Sequence, residues 1–147
     1  MEEVKFYQCK ECKTVLLEIA GLTPNCCSKD MELITANTVE AAQEKHIPIL
    51  TYEDGILSVK VGSVEHPMTP DHYIAWIFVQ TKNGGLYKYL TPENSPTAQF
   101  SVTEDDIENV YAYCNLHGLW KAEPLLYDFS ETVCSPEFPE GCKDSNF

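Results

Sequence analysis

Four cysteines crowd the first 27 residues of this chain. Cys9 and Cys12 form a Cys-x-x-Cys knuckle, and after thirteen intervening residues comes the adjacent pair Cys26-Cys27. Four thiolates in so short a block suit a tetrahedral site, either structural zinc or a single iron. A Cys-x-x-Cys turn points both of its sulfurs at one metal. Adjacent cysteines are unusual, because neighbouring side chains diverge, and they share an ion only at a distorted ligand angle. The spacing leaves zinc and iron both open. A second donor set follows: all four histidines, His46, His66, His72 and His117, with Cys114 three positions before the last. Zinc rarely takes five ligands, so imidazole-rich coordination with one thiolate points to iron or copper. Neutral imidazoles would leave a ferrous ion positive, and one thiolate would push electron density along its own axis. An open position opposite that sulfur would admit a small anion for reduction.

These donors need elements that hold them. Short strands are predicted around Phe6-Tyr7 and Val15–Ile19, with a turn from Gly21 to Asn25. A block of about 36 residues buries too little surface to fold alone, so its cysteines must supply what its core lacks. Asn37 with Glu40 three residues later reads as a capping box opening a short helix. Beyond it the pattern turns to period two. Strands are predicted over Ile47–Tyr52, Ile56–Val64, His72–Thr81, Gly85–Leu90, Ala98–Val102, Val110–Cys114 and Leu119–Ala122. In the third, Ile74, Trp76 and Phe78 are expected on one face. Asp54-Gly55 and Asn83-Gly84-Gly85 are hairpin turn signals. Seven short strands with regular turns argue for an all-β, immunoglobulin-like sandwich whose core forms without the first block. Its strand ends would gather the histidines: His46 between helix and first strand, His66 and His72 on a loop entering a strand, and Cys114 and His117 at the last strand junction. The expected organisation is a four-cysteine domain over 1–36, a β-sandwich over 37–124 and an acidic extension over 125–147.

Composition narrows the function classes. The chain has 147 residues, ten Lys, no Arg and 23 acidic residues, for a net charge of −13. Phosphate clamping wants clustered Lys and Arg, so a nucleic-acid partner is not expected. No apolar run is long enough for a membrane span. The N-terminal Met-Glu-Glu-Val-Lys lacks the pattern of a secretory signal, which points to the reducing cytosol, where cysteines serve metals or redox chemistry before disulfides.

Four longer stretches carry a resemblance: Glu44-Lys-His-Ile-Pro48, Lys60-Val-Gly-Ser-Val-Glu-His-Pro-Met68, His72-Tyr-Ile-Ala-Trp-Ile77 and Tyr113-Cys-Asn-Leu-His-Gly-Leu-Trp-Lys-Ala-Glu123. With the four-cysteine block, the chain resembles the superoxide reductase family in its two-iron, desulfoferrodoxin form, over residues 4 to about 123. The resemblance implies a small desulforedoxin-like domain ahead of the sandwich. It implies His46, His66, His72 and His117 as equatorial ligands of a square-pyramidal Fe(II), Cys114 as the axial thiolate, and Cys9, Cys12, Cys26 and Cys27 around a second iron. Glu44 matches a glutamate that takes the vacant sixth position in the oxidised state. Lys45 matches a lysine that attracts superoxide and organises proton delivery. The implied reaction is one-electron reduction of superoxide to hydrogen peroxide, with rubredoxin or a similar carrier restoring Fe(II), in a homodimer. An iron protein that only transfers or senses electrons, with no exchangeable position at the histidine-rich iron, is the competing reading.

Net charge and substrate conflict, since a protein at −13 repels an anion. Local field decides close to the site: Fe(II) with one thiolate keeps a positive charge, and Lys45 adds another. The chain departs from the family at Lys13, where relatives often carry Gly; a side chain there strains the turn and alters hydrogen bonds to sulfur. The extension carrying Cys134 and Cys142 has no recognised counterpart. Without a histidine beside them it does not read as a third metal site, and an acidic tail with incidental thiols is expected.

Overall fold

The computed structural model describes residues 3–18, 21, 23–37 and 41–124. Cys134, Cys142, Glu40 and Ile19 lie outside them. Twelve strands and one helical turn carry the fold: β1 (Lys5–Gln8), β2 (Val15–Glu18), β3 (Asn25–Cys26), β4 (Lys29–Asp30), β5 (Glu32–Ile34), α1 (Gln43–His46), β6 (Pro48–Glu53), β7 (Ile56–Val61), β8 (Ile74–Thr81), β9 (Gly84–Tyr89), β10 (Thr97–Ser101), β11 (Ile107–Cys114) and β12 (Gly118–Ala122). All pairings of these strands are antiparallel.

The last seven strands make the expected sandwich, divided into a three-stranded sheet β10-β7-β6 and a four-stranded sheet β12-β11-β8-β9. Between the sheets lies one apolar core, with Leu57, Val61, Ile77, Val79, Val110 and Ala112 fully buried. Every member of that core comes from the sandwich itself. The β6–β7 hairpin turns at Asp54-Gly55, where both residues take left-handed φ of 54° and 80°. That pair of values is what a two-residue turn matching strand twist requires. The glycines after Asn83 play a different part from the one expected. Gly84 and Gly85 are the first residues of β9, paired with Thr81 and Gln80, and Lys82-Asn83 make the turn.

Two expectations need correction. Ile74 does not share a face with Trp76 and Phe78. On β11, Tyr113 pairs with Trp76 but the next residue, Cys114, pairs with Ile74, so β8 carries an extra residue at Ala75. This bulge reverses the alternation. Ile74 faces the core between the sheets, whereas Trp76 and Phe78 face outward. Among the described residues Asn37 caps no helix, and Glu40, its expected capping-box partner, lies outside them. The helical turn opens at Gln43 behind Ala42, without a side-chain cap. Asn37, at φ 63°, instead covers the free edge of β12. Its amide donates to the Leu119 carbonyl at 2.9 Å, its Nδ2 donates to the Lys121 carbonyl at 3.2 Å, and its Oδ1 accepts from the Lys121 amide at 2.9 Å. Three open edge groups satisfied together outweigh one capping bond. Strand β5 was not anticipated. Its polar-flanked three residues show no period, and it exists because β1 offers it an edge.

The N-terminal sheet β2-β1-β5 lies on the outer face of the four-stranded sheet. Phe6 is the hinge pin: its ring sits 5.0 Å from Trp76, 5.7 Å from Phe78 and 5.2 Å from Tyr111. So the cysteines are not the only support of the first block; it also borrows apolar surface from the sandwich.

Candidate metal centres

The knuckle Cys9–Cys12 joins β1 to β2. Its turn is closed by the Lys13 amide on the Cys9 carbonyl and the Cys9 amide on the Thr14 carbonyl, both 2.9 Å. Lys13 takes φ 69°, the left-handed strain that its place after the knuckle predicted. Cys26 ends β3, and Cys27-Ser28 form the turn into β4 with φ of 53° and 66°. This left-handed turn resolves the adjacent-cysteine problem, because it swings the Cys27 side chain back toward that of Cys26. The Sγ atoms of Cys12 and Cys26 are 3.4 Å apart and those of Cys26 and Cys27 3.8 Å. All four sulfurs lie within 4.8 Å of one another. A tetrahedral ion with metal–sulfur bonds of about 2.3 Å sets sulfur separations of about 3.8 Å, so the group fits a single metal.

The sulfurs are electrostatically unlike. The Thr14 hydroxyl lies 3.1 Å from Cys12 Sγ. Hydrogen bonds from Thr14, and then from Cys26 and Cys9, bring the Cys12 thiol down to about 6. Its neighbours Cys12, Cys9 and Cys27 push Cys26 up to about 12. Cys9 is buried, whereas Cys12 and Cys27 are exposed.

The second set forms at one end of the sandwich. His46 comes from the end of α1, His66 and His72 from the loop into β8, and Cys114 and His117 from the β11–β12 turn. Four ring contacts close a circuit: His46–His66 at 4.7 Å, His66–His72 at 4.6 Å, His72–His117 at 5.0 Å and His117–His46 at 4.9 Å. Interplanar angles along it run from 72° to 84°. His46 and His72 stand across the circuit, 6.3 Å apart. Cys114 is buried, and its sulfur joins the donor atoms of His46, His72 and His117 within 4.8 Å of one another. His66 does not lie within that radius of all of them, but its Nε2 is 3.2 Å from Nε2 of His46.

Hydrogen bonds fix which nitrogens face inward. Nδ1 of His46 and of His66 each donate to a backbone carbonyl, of Ala42 and Pro67, at 2.7 Å. A carbonyl only accepts, so both Nδ1 atoms carry the proton and both Nε2 atoms present bare lone pairs. Two lone pairs at 3.2 Å repel unless a cation lies between them. His117 turns its Nδ1 inward, 3.1 Å from Nε2 of His46. Nε2 of His72 is buried without a hydrogen-bond partner among the described residues. Adjacent ligands on a square metal at about 2.1 Å stand about 3 Å apart. The donor set thus fits one ion within a square of nitrogens. Burial lowers the imidazole pKa of His46, His66 and His72, with His66 at about 4, so these rings are neutral and ligand-ready at pH 7. Burial also raises the Cys114 thiol, opposed by the amides of His117 and Leu116, which donate toward its sulfur.

Glu44 and Lys45 are exposed on α1 beside His46. The Lys45 charge depresses protonation of both His46 and His72, which places its field at the centre. The Glu44 carbonyl accepts from the Val64 amide at 2.9 Å, tying this turn to the loop that carries His66.

Sequence reasoning missed the supports. Trp120 stacks on His46 at 4.8 Å and donates Nε1–H to the His117 carbonyl at 3.1 Å. Asn115 bridges the two ligand loops, accepting from the Tyr73 amide at 2.8 Å and donating to the Asp71 carbonyl at 3.0 Å. Their sequence signal is their place in the Tyr113–Glu123 stretch, immediately around Cys114 and His117.

An all-β sandwich with a four-sulfur group near its surface and a four-imidazole, one-thiol group at its end defines a class: a two-centre, non-haem metalloprotein. The desulfoferrodoxin family model matches residues 38–123. Desulfoferrodoxin of Clostridium acetobutylicum is 49% identical over 110 residues, 74% of this chain and 86% of that one. That of Desulfarculus baarsii is 39% identical over 124 residues, covering 83% and 98%. The crystal structure of superoxide reductase from Treponema pallidum superposes with a TM-score of 0.70 at 37% identity, covering 83% of this chain and all of that one. The chain belongs to the superoxide reductase/desulfoferrodoxin family, and its two donor groups match that family's two iron sites.

Proposed function

We propose that this protein is a superoxide reductase, converting superoxide, one electron and two protons into hydrogen peroxide. The observation that carries this reading is the closed circuit of four imidazoles beside a buried thiol, with converging lone pairs and the orphaned Nε2 of His72. His46, His66 and His72 would bind iron through Nε2, His117 through Nδ1, and Cys114 through its sulfur; Cys9, Cys12, Cys26 and Cys27 would bind the second. Iron held there supplies the single electron by cycling between its ferrous and ferric forms. Lys45 draws the anionic substrate toward a molecule of net charge −13 and orients proton delivery to the departing peroxide. Glu44, two residues before His46, would be the carboxylate that approaches iron held there once product has gone. The Leu116 and His117 amides stabilise the thiolate and limit how strongly it donates. A small rubredoxin-like carrier returns the electron, and the working form is a homodimer in the cytoplasm. Among the described residues no helix is long and apolar enough to cross a membrane.

The test is metal content and visible spectrum of protein purified without air, followed by a superoxide pulse. Reduction yields one peroxide per superoxide consumed and no dioxygen. Dismutation would give half that peroxide and release dioxygen. Zinc alone, with no colour after oxidation, overturns the reading. An iron that azide and cyanide leave unchanged, with no superoxide consumption, would make the protein an electron carrier or sensor.

A further inference from the structure

Gln8 precedes Cys9 of the four-sulfur group, and Tyr113 precedes Cys114 of the histidine group. Across the boundary between the N-terminal sheet and the sandwich, Gln8 Nε2 donates to the Tyr113 hydroxyl at 2.7 Å. The route from one sulfur to the other therefore runs through covalent bonds except for that single short hydrogen bond. Both ends are held firmly. Gln8 is paired on two sides in β1, with Val15 and with Glu32. Tyr113 stacks on Trp76 at 5.4 Å and 3° between ring planes, and Trp76 in turn leans on Phe6 at 5.0 Å.

Exposure gives the two ends different duties. Cys114 is 0% exposed, so a protein donor cannot touch this sulfur, although His72 and His117 of the same group are half-buried. Cys12 and Cys27 of the first group are exposed and can meet a partner directly. A bonded route is also a stronger electronic contact than the same distance through loosely packed space.

We propose that Gln8 and Tyr113 are an electron bridge by which the four-cysteine centre re-reduces the histidine–cysteine centre of the same chain. The proposal rests on the reductase reading. In the step, one electron leaves the four-cysteine centre, which is oxidised by one unit, and enters the histidine–cysteine centre, which passes from ferric to ferrous. No bond is made or broken and no proton moves. Tyr113 remains a phenol throughout. A small one-electron iron protein, docking at the exposed cysteines, then re-reduces the first centre.

The experiment uses the two-iron protein, fully oxidised and free of air. A flash of photoreduced flavin supplies less than one electron per chain, and the absorption bands of the two centres are followed. In the parent, the four-cysteine band bleaches first, and the electron then moves to the second centre at a rate independent of protein concentration. Tyr113→Phe, which keeps the stack on Trp76, and Gln8→Leu, which keeps the strand, each slow this second phase at least tenfold. Both spectra and both midpoint potentials stay as in the parent, and each variant still melts cooperatively. An unchanged second phase in either folded variant overturns the bridge. So does a parent rate that rises with protein concentration, which means transfer between molecules, or the absence of any second phase. Superoxide consumption after direct chemical reduction is measured on the same samples. Its loss in the parent would overturn the reductase reading, whereas its retention beside an unaltered second phase would overturn the bridge alone.

Discussion

Two lysines illustrate how differently one residue type is used at this scale. Lys13 holds φ 69° because the knuckle must turn left-handed to bring the Cys9 and Cys12 sulfurs together. For a residue with a Cβ that conformation costs roughly 1–2 kcal/mol, offset in part by the larger entropy Gly loses. Lys13→Gly is expected to stabilise the metal-loaded protein by about 1 kcal/mol, read as a higher denaturant midpoint at unchanged slope. Lys45 contributes field instead of conformation. Lys45→Ala is expected to slow superoxide capture by about tenfold at low salt and to flatten its salt dependence. Equal second-order rates for variant and parent would remove Lys45 from substrate capture. The strain at Lys13 was legible from its place after the knuckle, and the role proposed for Lys45 comes from the Glu-Lys-His motif. The stacking of Trp120 on His46 was not, because nothing local distinguishes a supporting tryptophan from a core one.

At the scale of elements, the position of α1 is set from outside. Gly62, at φ 88°, ends β7 against the backbone of this helical turn. A Cβ there would stand 2.5 Å from the Val64 carbonyl oxygen, 2.7 Å from that of Lys45 and 2.8 Å from that of Glu44. These are main-chain atoms and cannot swing aside. Gly62→Ala is expected to cost about 2–4 kcal/mol, from the forced φ and the overpacking together. Because α1 must move to relieve the contact, His46 moves with it. The variant loaded with iron should show a shifted thiolate-to-iron band as well as a lower melting temperature; a lower melting temperature with an unmoved band would make Gly62 a stability residue only. The seven sandwich strands themselves follow from period-two patterning and turn residues, and their limits fall within a few residues of expectation. The bulge at Ala75 does not follow, since Ile-Ala-Trp-Ile-Phe-Val alternates equally well in either phase. Only pairing with β11, and the demand that both Cys114 and Ile74 face inward, selects one.

For the whole molecule the decisive surface is the outer face of the four-stranded sheet. There Phe6 joins Phe78, Tyr111 and Leu119 in a second buried cluster. Tyr111 is 1% exposed and its hydroxyl has no hydrogen-bond partner among the described residues. Burial first, and then the Glu3 carboxylate, raise its pKa above the usual tyrosine value. The sign of the pH effect follows. The folded state keeps this proton while the unfolded chain releases it near pH 10, so stability is full below about pH 10 and falls as pH rises. Tyr111→Phe is expected to leave stability at pH 7 unchanged or raised by about 1 kcal/mol, since it removes an unpaired buried hydroxyl. It should also lessen the alkaline loss. Urea midpoints for parent and variant at neutral and alkaline pH check both; a loss of stability at pH 7 would show that the hydroxyl is satisfied in solution.

The sequence by itself pointed to the donor residues, because nine cysteines and histidines in this order and spacing have few chemical uses besides holding metal. It also determined the strands, because alternation and turn residues are local properties of the chain. Tertiary structure decided what no local pattern encodes. It decided which nitrogens face inward, since the carbonyls of Ala42 and Pro67 that hold the outer protons are placed by loop packing. It set Asn37 on a strand edge instead of a helix end. It also laid Gln8 against Tyr113, 105 residues apart. Each of these is a contact between segments distant in sequence, fixed by where two sheets and a borrowed apolar face come to rest together.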